Sequence, residues 1–246
     1  MVLRSPRRDD PLVVALSALG GEVQQCPVQT IVPLGADAVG IRPQVERIRN
    51  YDKAIFVSRN ATELVLCHLD QYDLSLAPQG QCFAVGPGSA ALLEERGIKV
   101  VVPAEGWNSE ALLALPALTK VAGQSIVVFR GEGGRAMLGD ALIRRGANVE
   151  YCELYRREPD VRFREDIIRF IGDKRGVVLL AHSGEIIDAL FELLGAQYRE
   201  VIMKTPVLVP GERLCRYARA LGFKHIITAA SALPGEIESA MINWRA

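Results

Sequence analysis

Five short turns carry the side chains and backbone amides best suited to hold a ligand. Each follows a β-branched run directly and precedes a helical pattern. Unpaired amides and the positive end of a helix dipole make such turns natural anion sites. Helix capping is the alternative role for any single Ser, Asn or Gly, but five turns together favour a ligand with several carboxylates or phosphates. The candidate binding residues are Ser58, Arg59, Asn60, Ala61, Gly86, Gly88, Arg130, Gly131, Gly133, Arg135, His182, Ser183, Gly184 and Gly211.

Several common chemistries leave no signature in the chain. There is no G-x-S-x-G, H-E-x-x-H or P-loop motif. The 5 cysteines are scattered without CxxC spacing and the 3 histidines lie far apart, so we expect free thiols and no metal. The G-x-G-x-x-A run from Gly86 fits a dinucleotide site locally, with Glu105 nineteen residues on. Pro87 removes an amide that a pyrophosphate would use, but a dinucleotide-dependent enzyme stays open as an alternative.

Strand-like and helix-like stretches alternate along the chain, which predicts an α/β fold with a mostly parallel sheet. The predicted strands are 54–58, 82–86, 99–103, 125–130, 177–182, 207–210 and 225–228. The predicted helices are 61–69, 89–96, 109–115, 134–145, 185–194, 212–221 and 234–242.

The chain also resembles itself at an offset of 125 to 126 residues. Equivalent positions carry the same residue in the same order of strands and turns, so we predict two similar α/β lobes. The matched pairs are Arg4 with Arg130, Gly20 with Gly146, Val23 with Val149, Cys26 with Cys152, Pro33 with Pro159, Ser58 with Ser183, Gly86 with Gly211, and Gly97 with Gly222.

Two segments at matching positions of this repeat break the alternation. Val23–Pro33 and Val149–Pro159 show no helix pattern and read as long extended strands. They predict a two-stranded β-ladder that joins the lobes, with the ligand in a cleft between them. The lobes would be 1–28 plus 163–246 and 36–150, with bridging strands at 29–35 and 151–162.

Composition narrows the class of partner. Of 246 residues, 49% are hydrophobic and 24% charged, with a formal net charge of +0. No basic field is available to attract nucleic acid or an anionic membrane. No apolar run is long enough to span a bilayer, and the charged start at Met1–Pro11 lacks the apolar core of a signal peptide. We therefore expect a protein that acts on a small molecule. The unpaired cysteines favour the cytoplasm, and we expect a monomer.

An ordered set of segments resembles the uroporphyrinogen-III synthase family. The resemblance covers nearly the whole chain, and the run RGEGGR followed by a VEY and YRR strand is its most specific part. The segments are Leu3–Pro6, Ile55–Ala61, Val85–Ala90, Pro103–Glu110 with Leu112 and Leu113, Val128–Arg135, Val149–Tyr151, Leu154–Arg157 and His182–Gly184.

The resemblance implies two α/β domains joined by a two-stranded ladder, and an enzyme, a hydro-lyase, that needs no cofactor or metal. It would cyclise hydroxymethylbilane, received from porphobilinogen deaminase, to uroporphyrinogen III with loss of water and inversion of the last pyrrole ring. This substrate carries eight carboxylates. A two-lobed, non-catalytic binding protein for a polycarboxylate or phosphorylated small molecule is the alternative.

The resemblance also implies roles for individual residues. The functional tyrosine of the family matches Tyr155, and its hydroxyl residue after the second glycine turn matches Ser89. Packing on the ladder and helix capping are their respective alternatives. Arg59, Arg130 and Arg135, in these turns, would pair with acetate or propionate groups, with solvated surface arginines as the alternative. His182 departs from the smaller polar residue expected at its position.

Overall fold

The computed structural model describes residues 1–6, 10–35, 40–74, 80–134, 136–173 and 176–245. Its helices are α1 Pro11–Ala18, α2 Ile41–Glu46, α3 Arg59–Gln71, α4 Pro87–Glu94, α5 Ser109–Leu113, α6 Met137–Arg144, α7 Arg164–Asp173, α8 Gly184–Leu194, α9 Arg199–Lys204, α10 Glu212–Leu221 and α11 Pro234–Arg245. Its strands are β1 Gln29–Pro33, β2 Lys53–Phe56, β3 Gln81–Ala84, β4 Val100–Val101, β5 Ser125–Gly131, β6 Asn148–Pro159, β7 Leu179–Leu180, β8 Val207–Pro210 and β9 Ile226–Ala229.

The chain forms two compact units. Unit 1 comprises Met1–Thr30 and Glu158–Ala246, and unit 2 comprises Ile31–Arg157. One sheet has the order β1-β6-β5-β2-β3-β4, and the other the order β7-β8-β9. Parallel bridges from Val2 to Gln25 and to Leu180 extend the second sheet beyond β7. The boundaries proposed from the sequence for the two lobes and the bridging strands stay predictions in their detail.

Each unit has the same winding. In unit 1 the order is Gln25, Val2, β7, β8, β9, which is 2-1-3-4-5 when Val2 marks the first strand. In unit 2 the order β6-β5-β2-β3-β4 becomes 2-1-3-4-5 when β5 is taken as the first. Both are the order of a doubly wound α/β fold. The predicted class of two similar, mostly parallel α/β lobes is confirmed.

Residues matched by the repeat also have the same local structural role. Ser58 and Ser183 are the N-caps of α3 and α8, and each side chain accepts a hydrogen bond from the amide three residues on. Gly97 and Gly222 follow α4 and α10 with φ of 73° and 104°, a left-handed conformation that a Cβ atom disfavours. The offset read from the sequence therefore reflects a repeated scaffold.

All seven predicted strands and seven predicted helices coincide with elements of the structure, shifted by a few residues at their ends. Four further helices, α1, α2, α7 and α9, were not predicted. The α1 segment PLVVALSA has no polar face to create a helical period, and α2 and α9 span only 6 residues each.

The prediction of one long strand over Val23–Pro33 is wrong. Only Gln29–Pro33 belongs to β1. Before it, the Cys26 and Val28 amides donate to the carbonyls of Val2 and Leu3, at 3.0 and 3.4 Å, so the backbone there pairs within unit 1. β6 does match its predicted span, and β1 is its neighbour in the sheet. That this pair acts as a bridging ladder stays a prediction.

Apolar side chains cover both faces of each sheet. In unit 2, Phe56 and Phe129 lie in a cluster with α3, while Ile55 and Val128 lie in another with α6. All four residues of β2 are buried, as expected for a central parallel strand. Within the described residues, no helix has both the length and the apolar character needed to cross a membrane.

The N-cap of α8 gives a test of this scaffold. Ser183→Ala removes the acceptor of the Ile186 amide, so we expect amides in the first turn of α8 to lose about 1 kcal/mol of protection in hydrogen exchange. Ser183→Asp retains an acceptor and should keep the wild-type protection. Equal protection in wild type and Ser183→Ala would contradict the assigned cap.

Candidate functional site

The candidate site of unit 2 lies where its strand order reverses. Strands β5 and β2 are parallel neighbours, and the helices that follow them cover opposite faces: α3 packs with Phe129, and α6 with Val128. Such a switch point leaves an opening at the carboxyl ends of the two strands, where ligands of doubly wound folds bind. The turns at Ser58–Ala61 and Gly131–Gly134 lie at this edge.

A break in strand register brings Tyr155 to the same edge. β5 and β6 pair in order up to Arg130 and Glu153, and the register then shifts so that Gly131 lies opposite Tyr155. As a result, consecutive residues Leu154 and Tyr155 pack in the same hydrophobic cluster, which strict alternation along a strand would prevent. A Cβ atom on Gly131 would lie 2.5 Å from Cε2 of Tyr155, so the ring packs directly on the glycine backbone.

The Tyr155 hydroxyl lies in a small polar cluster. It is 3.1 Å from Ser58 Oγ, and a guanidinium N–H of Arg157 donates to it at 3.2 Å. The Arg157 guanidinium carbon also lies 5.3 Å from the centre of the Tyr155 ring. Tyr155 is only 1% exposed, so its orientation is determined by packing on all sides.

Ser58 belongs to both the helix and this cluster. Its Oγ accepts a hydrogen bond from the Ala61 amide at 3.1 Å, and its carbonyl accepts one from Thr62 Oγ1 at 3.0 Å. Because a hydroxyl has one proton and two acceptor sites, Oγ can accept from Ala61 and still donate to Tyr155. Asn60 is half-buried in the same turn.

The second turn of unit 2 contains Ser89. Gly86 holds the N-cap position of α4, and Ser89 makes no side-chain cap bond, so capping is not its role. Ser89 is 5% exposed, and its hydroxyl has no hydrogen-bond partner within the described part of the chain. Beside it, Gly88 has open space at its Cβ position, and Trp107, 52% exposed, lies 3.6 Å from the Cβ position of Gly86.

The three arginines predicted to pair with carboxylates differ in position. Arg59 is exposed, pairs with Glu63 at 2.8 Å and reaches the Gly88 carbonyl at 3.5 Å. Arg135 lies outside the described residues.

Arg130 is buried instead. Its guanidinium donates to the carbonyls of Gly131 and Gly134 and lies 4.5 Å from the centre of the Tyr151 ring. It therefore holds the loop that contains Gly133, and its use for a substrate carboxylate stays a prediction.

Unit 1 presents the equivalent turns with different side chains. His182 and Ser183 follow β7 and are half-buried, and Gly211 precedes α10 with φ of 79°. A Cβ atom on Gly184 would lie 3.1 Å from the Tyr217 ring. The Tyr217 hydroxyl donates to Asp188 at 2.5 Å, and this carboxylate, with some burial, raises the pKa of Tyr217 to about 12. Tyr217 therefore stays neutral at physiological pH.

Sequence reasoning did not single out Arg157 or Trp107. Arg157 lies two residues after Tyr155 on β6, and residues i and i+2 of a strand share a face, so the YRR run contained the signal. Trp107 lies in the loop after β4, and its approach to Gly86 depends on the packing of β3 against β4, for which a single sequence has no local pattern.

The fold and its two switch points define a doubly wound, two-lobed α/β protein. The family model for uroporphyrinogen-III synthase HemD matches residues 10–237. The chain therefore belongs to the uroporphyrinogen-III synthase family, and the resemblance seen in the sequence is confirmed.

Individual relatives agree with this assignment. The uroporphyrinogen-III synthase of Escherichia coli K12 is 32% identical over 94% of this chain and 95% of its own length. That of Salmonella typhimurium LT2 is 31% identical over 94% and 95%.

Solved structures show the same fold. A mutant uroporphyrinogen III synthase from the extremely thermophilic bacterium Thermus thermophilus superposes with a TM-score of 0.68 at 20% identity, covering 99% of this chain and 96% of its own. The enzyme from Helicobacter pylori 26695 gives 0.63 at 13% identity, covering 99% and 98%.

The contact between Gly131 and Tyr155 gives a second test. Gly131→Ala forces the ring or the strand to move, and we expect the free energy of unfolding in urea to fall by about 1–3 kcal/mol. Gly88→Ala is the matched control, because no atom of the described residues beyond its chain neighbours and its own helix backbone lies within 4 Å of its Cβ position. Equal stability of the two variants would contradict the close packing.

Proposed function

We propose that this chain is a uroporphyrinogen-III synthase that cyclises hydroxymethylbilane to uroporphyrinogen III with loss of water. The cluster of Tyr155, Ser58 and Arg157 at the switch point carries the proposal, together with the full-length similarity to relatives of that name. The reaction is part of tetrapyrrole biosynthesis, and the substrate would come from porphobilinogen deaminase.

The reaction has two demands. The terminal hydroxyl must leave as water, which produces an electrophilic azafulvene. The substituted carbon of the last pyrrole ring must then attack it to form a spiro intermediate, because the free bilane closes without inversion. The second demand is conformational: the chain must be held in one folded arrangement. Neither step requires a nucleophile or a metal from the protein.

Tyr155 is the proposed proton donor for the first step. The phenol oxygen can accept hydrogen bonds from Arg157 and Ser58, so its own proton remains for the leaving hydroxyl. Because the ring packs on Gly131 and is 1% exposed, substrate binding must open access to the hydroxyl.

The substrate carboxylates fit the turns at the helix N-termini. Amides at the starts of α3, α4, α8 and α10 lie at the carboxyl ends of parallel strands, where partial positive charge stabilises anions. Ser89 offers a hydroxyl at the start of α4, and the exposed Arg59 offers a cation in the neighbouring turn. We propose that the enzyme acts as a monomer and needs no cofactor.

A coupled assay tests the activity itself. Porphobilinogen deaminase supplies hydroxymethylbilane, and the oxidised products are separated by isomer. We expect type III product well above the spontaneous background and no dependence on added NAD(P). If type III never exceeds the background although the chain binds porphyrinogen carboxylates, the non-catalytic binding function is the correct one.

The role of Tyr155 has its own test. Tyr155→Phe keeps the ring that packs on Gly131 but removes the proton, so we expect kcat to fall about a hundredfold or more, with little change in Tm. Tyr72→Phe, at the C-cap of α3, is the matched control and should retain activity. Full activity of Tyr155→Phe would contradict proton donation and would show that Tyr155 serves only in packing.

A further inference from the structure

Arg157 contacts Tyr155 in two ways at once, and both contacts act on the phenol. One guanidinium N–H donates to the hydroxyl at 3.2 Å, and the guanidinium carbon lies 5.3 Å from the ring centre. We propose that Arg157 is a positioning residue for Tyr155: it sets the direction of the phenol proton and stabilises the charge left when that proton departs. This inference rests on the proposed function.

The direction of the proton follows from the donors present. A guanidinium only donates hydrogen bonds, so the Tyr155 oxygen must be the acceptor in its bond with Arg157. Ser58 Oγ already accepts from the Ala61 amide at 3.1 Å, and its own proton is free for the Tyr155 oxygen at 3.1 Å. With both bonds made, the remaining phenol proton points away from both partners.

Proton transfer to the leaving hydroxyl separates charge between the substrate and Tyr155. The phenol O–H bond and the substrate C–O bond break, an O–H bond forms, and water leaves. The positive charge stays on the substrate as the N-protonated azafulvene, and the negative charge stays on the Tyr155 oxygen. The permanent cation of Arg157 lies within hydrogen-bond distance of that oxygen, so it interacts more strongly with the product of proton transfer than with the neutral phenol.

A direct role of Arg157 in binding a substrate carboxylate is the competing interpretation, because its side chain is exposed. The two roles differ in kinetics. Loss of uniform substrate binding raises KM, whereas loss of an interaction that strengthens in the transition state lowers kcat. Arg156, the next residue on the same strand and also exposed, points to the opposite face. It provides a control with the same change of charge.

The experiment compares Arg157→Gln, Arg157→Lys and Arg156→Gln in the coupled assay. We expect Arg157→Gln to lower kcat about tenfold to a hundredfold with little change in KM. Arg157→Lys should recover part of the loss, because lysine keeps the charge but not the planar fork. Arg156→Gln should retain wild-type kcat. In a Tyr155→Phe background, Arg157→Gln should have no further effect.

A second readout does not depend on turnover. With ¹³C-labelled tyrosine, the Cζ resonance of Tyr155, assigned through Tyr155→Phe, should shift in Arg157→Gln and stay in place in Arg156→Gln. A rise in KM at unchanged kcat, additive losses with Tyr155→Phe, or an unmoved Tyr155 resonance would each overturn the proposal. Absence of type III product from the wild-type chain would instead overturn the proposed function, whatever the resonance shows.

Discussion

The contact between the Tyr155 ring and the backbone of Gly131 is the constraint on which the site of unit 2 depends. A single register shift between β5 and β6 places them opposite each other, and any Cβ on Gly131 would lie inside the ring's van der Waals radius. Because the Tyr155 ring packs on Gly131 of β5, its hydroxyl reaches across β5 to Ser58, at the end of β2. One irregularity thus connects three strands at their carboxyl edge.

The two units share the same strand order, but the side chains at their equivalent turns differ. At the position of Tyr155, the repeat has Gln29, and at the position of Ser89 it has the buried Leu214. The cap residues Ser58 and Ser183, by contrast, are retained with the same geometry. Scaffold positions are equivalent because both helices need their first amides satisfied, whereas Tyr155 and Ser89 cap no helix and are not kept alike by that need.

The parts of the fold that could be predicted were those with local causes. Ser58 and Ser183 were recognised in strand–turn–helix patterns, and their capping requires only the following turn. Helix α1 was missed because its apolar sequence has no helical period, and it packs against α11, which lies far along the chain. The strand predicted over Val23–Pro33 was wrong because the first half of the segment pairs with Val2 and Leu3, a partner choice that local pattern does not contain.

The sequence by itself determined the α/β class, the repeat, the positions of the strand-to-helix turns proposed to bind anions, and the family, because periodicity, caps and ordered motifs are properties of short segments. Only the tertiary structure decided which of these residues meet. Tyr155 and Ser58 are 97 positions apart, and their contact depends on the strand order and on the shift at Gly131. For the same reason, the sequence did not show that Arg130 is buried against the Gly131–Gly134 loop or that Arg157 contacts Tyr155. Long-range packing determines which charged side chains face the site.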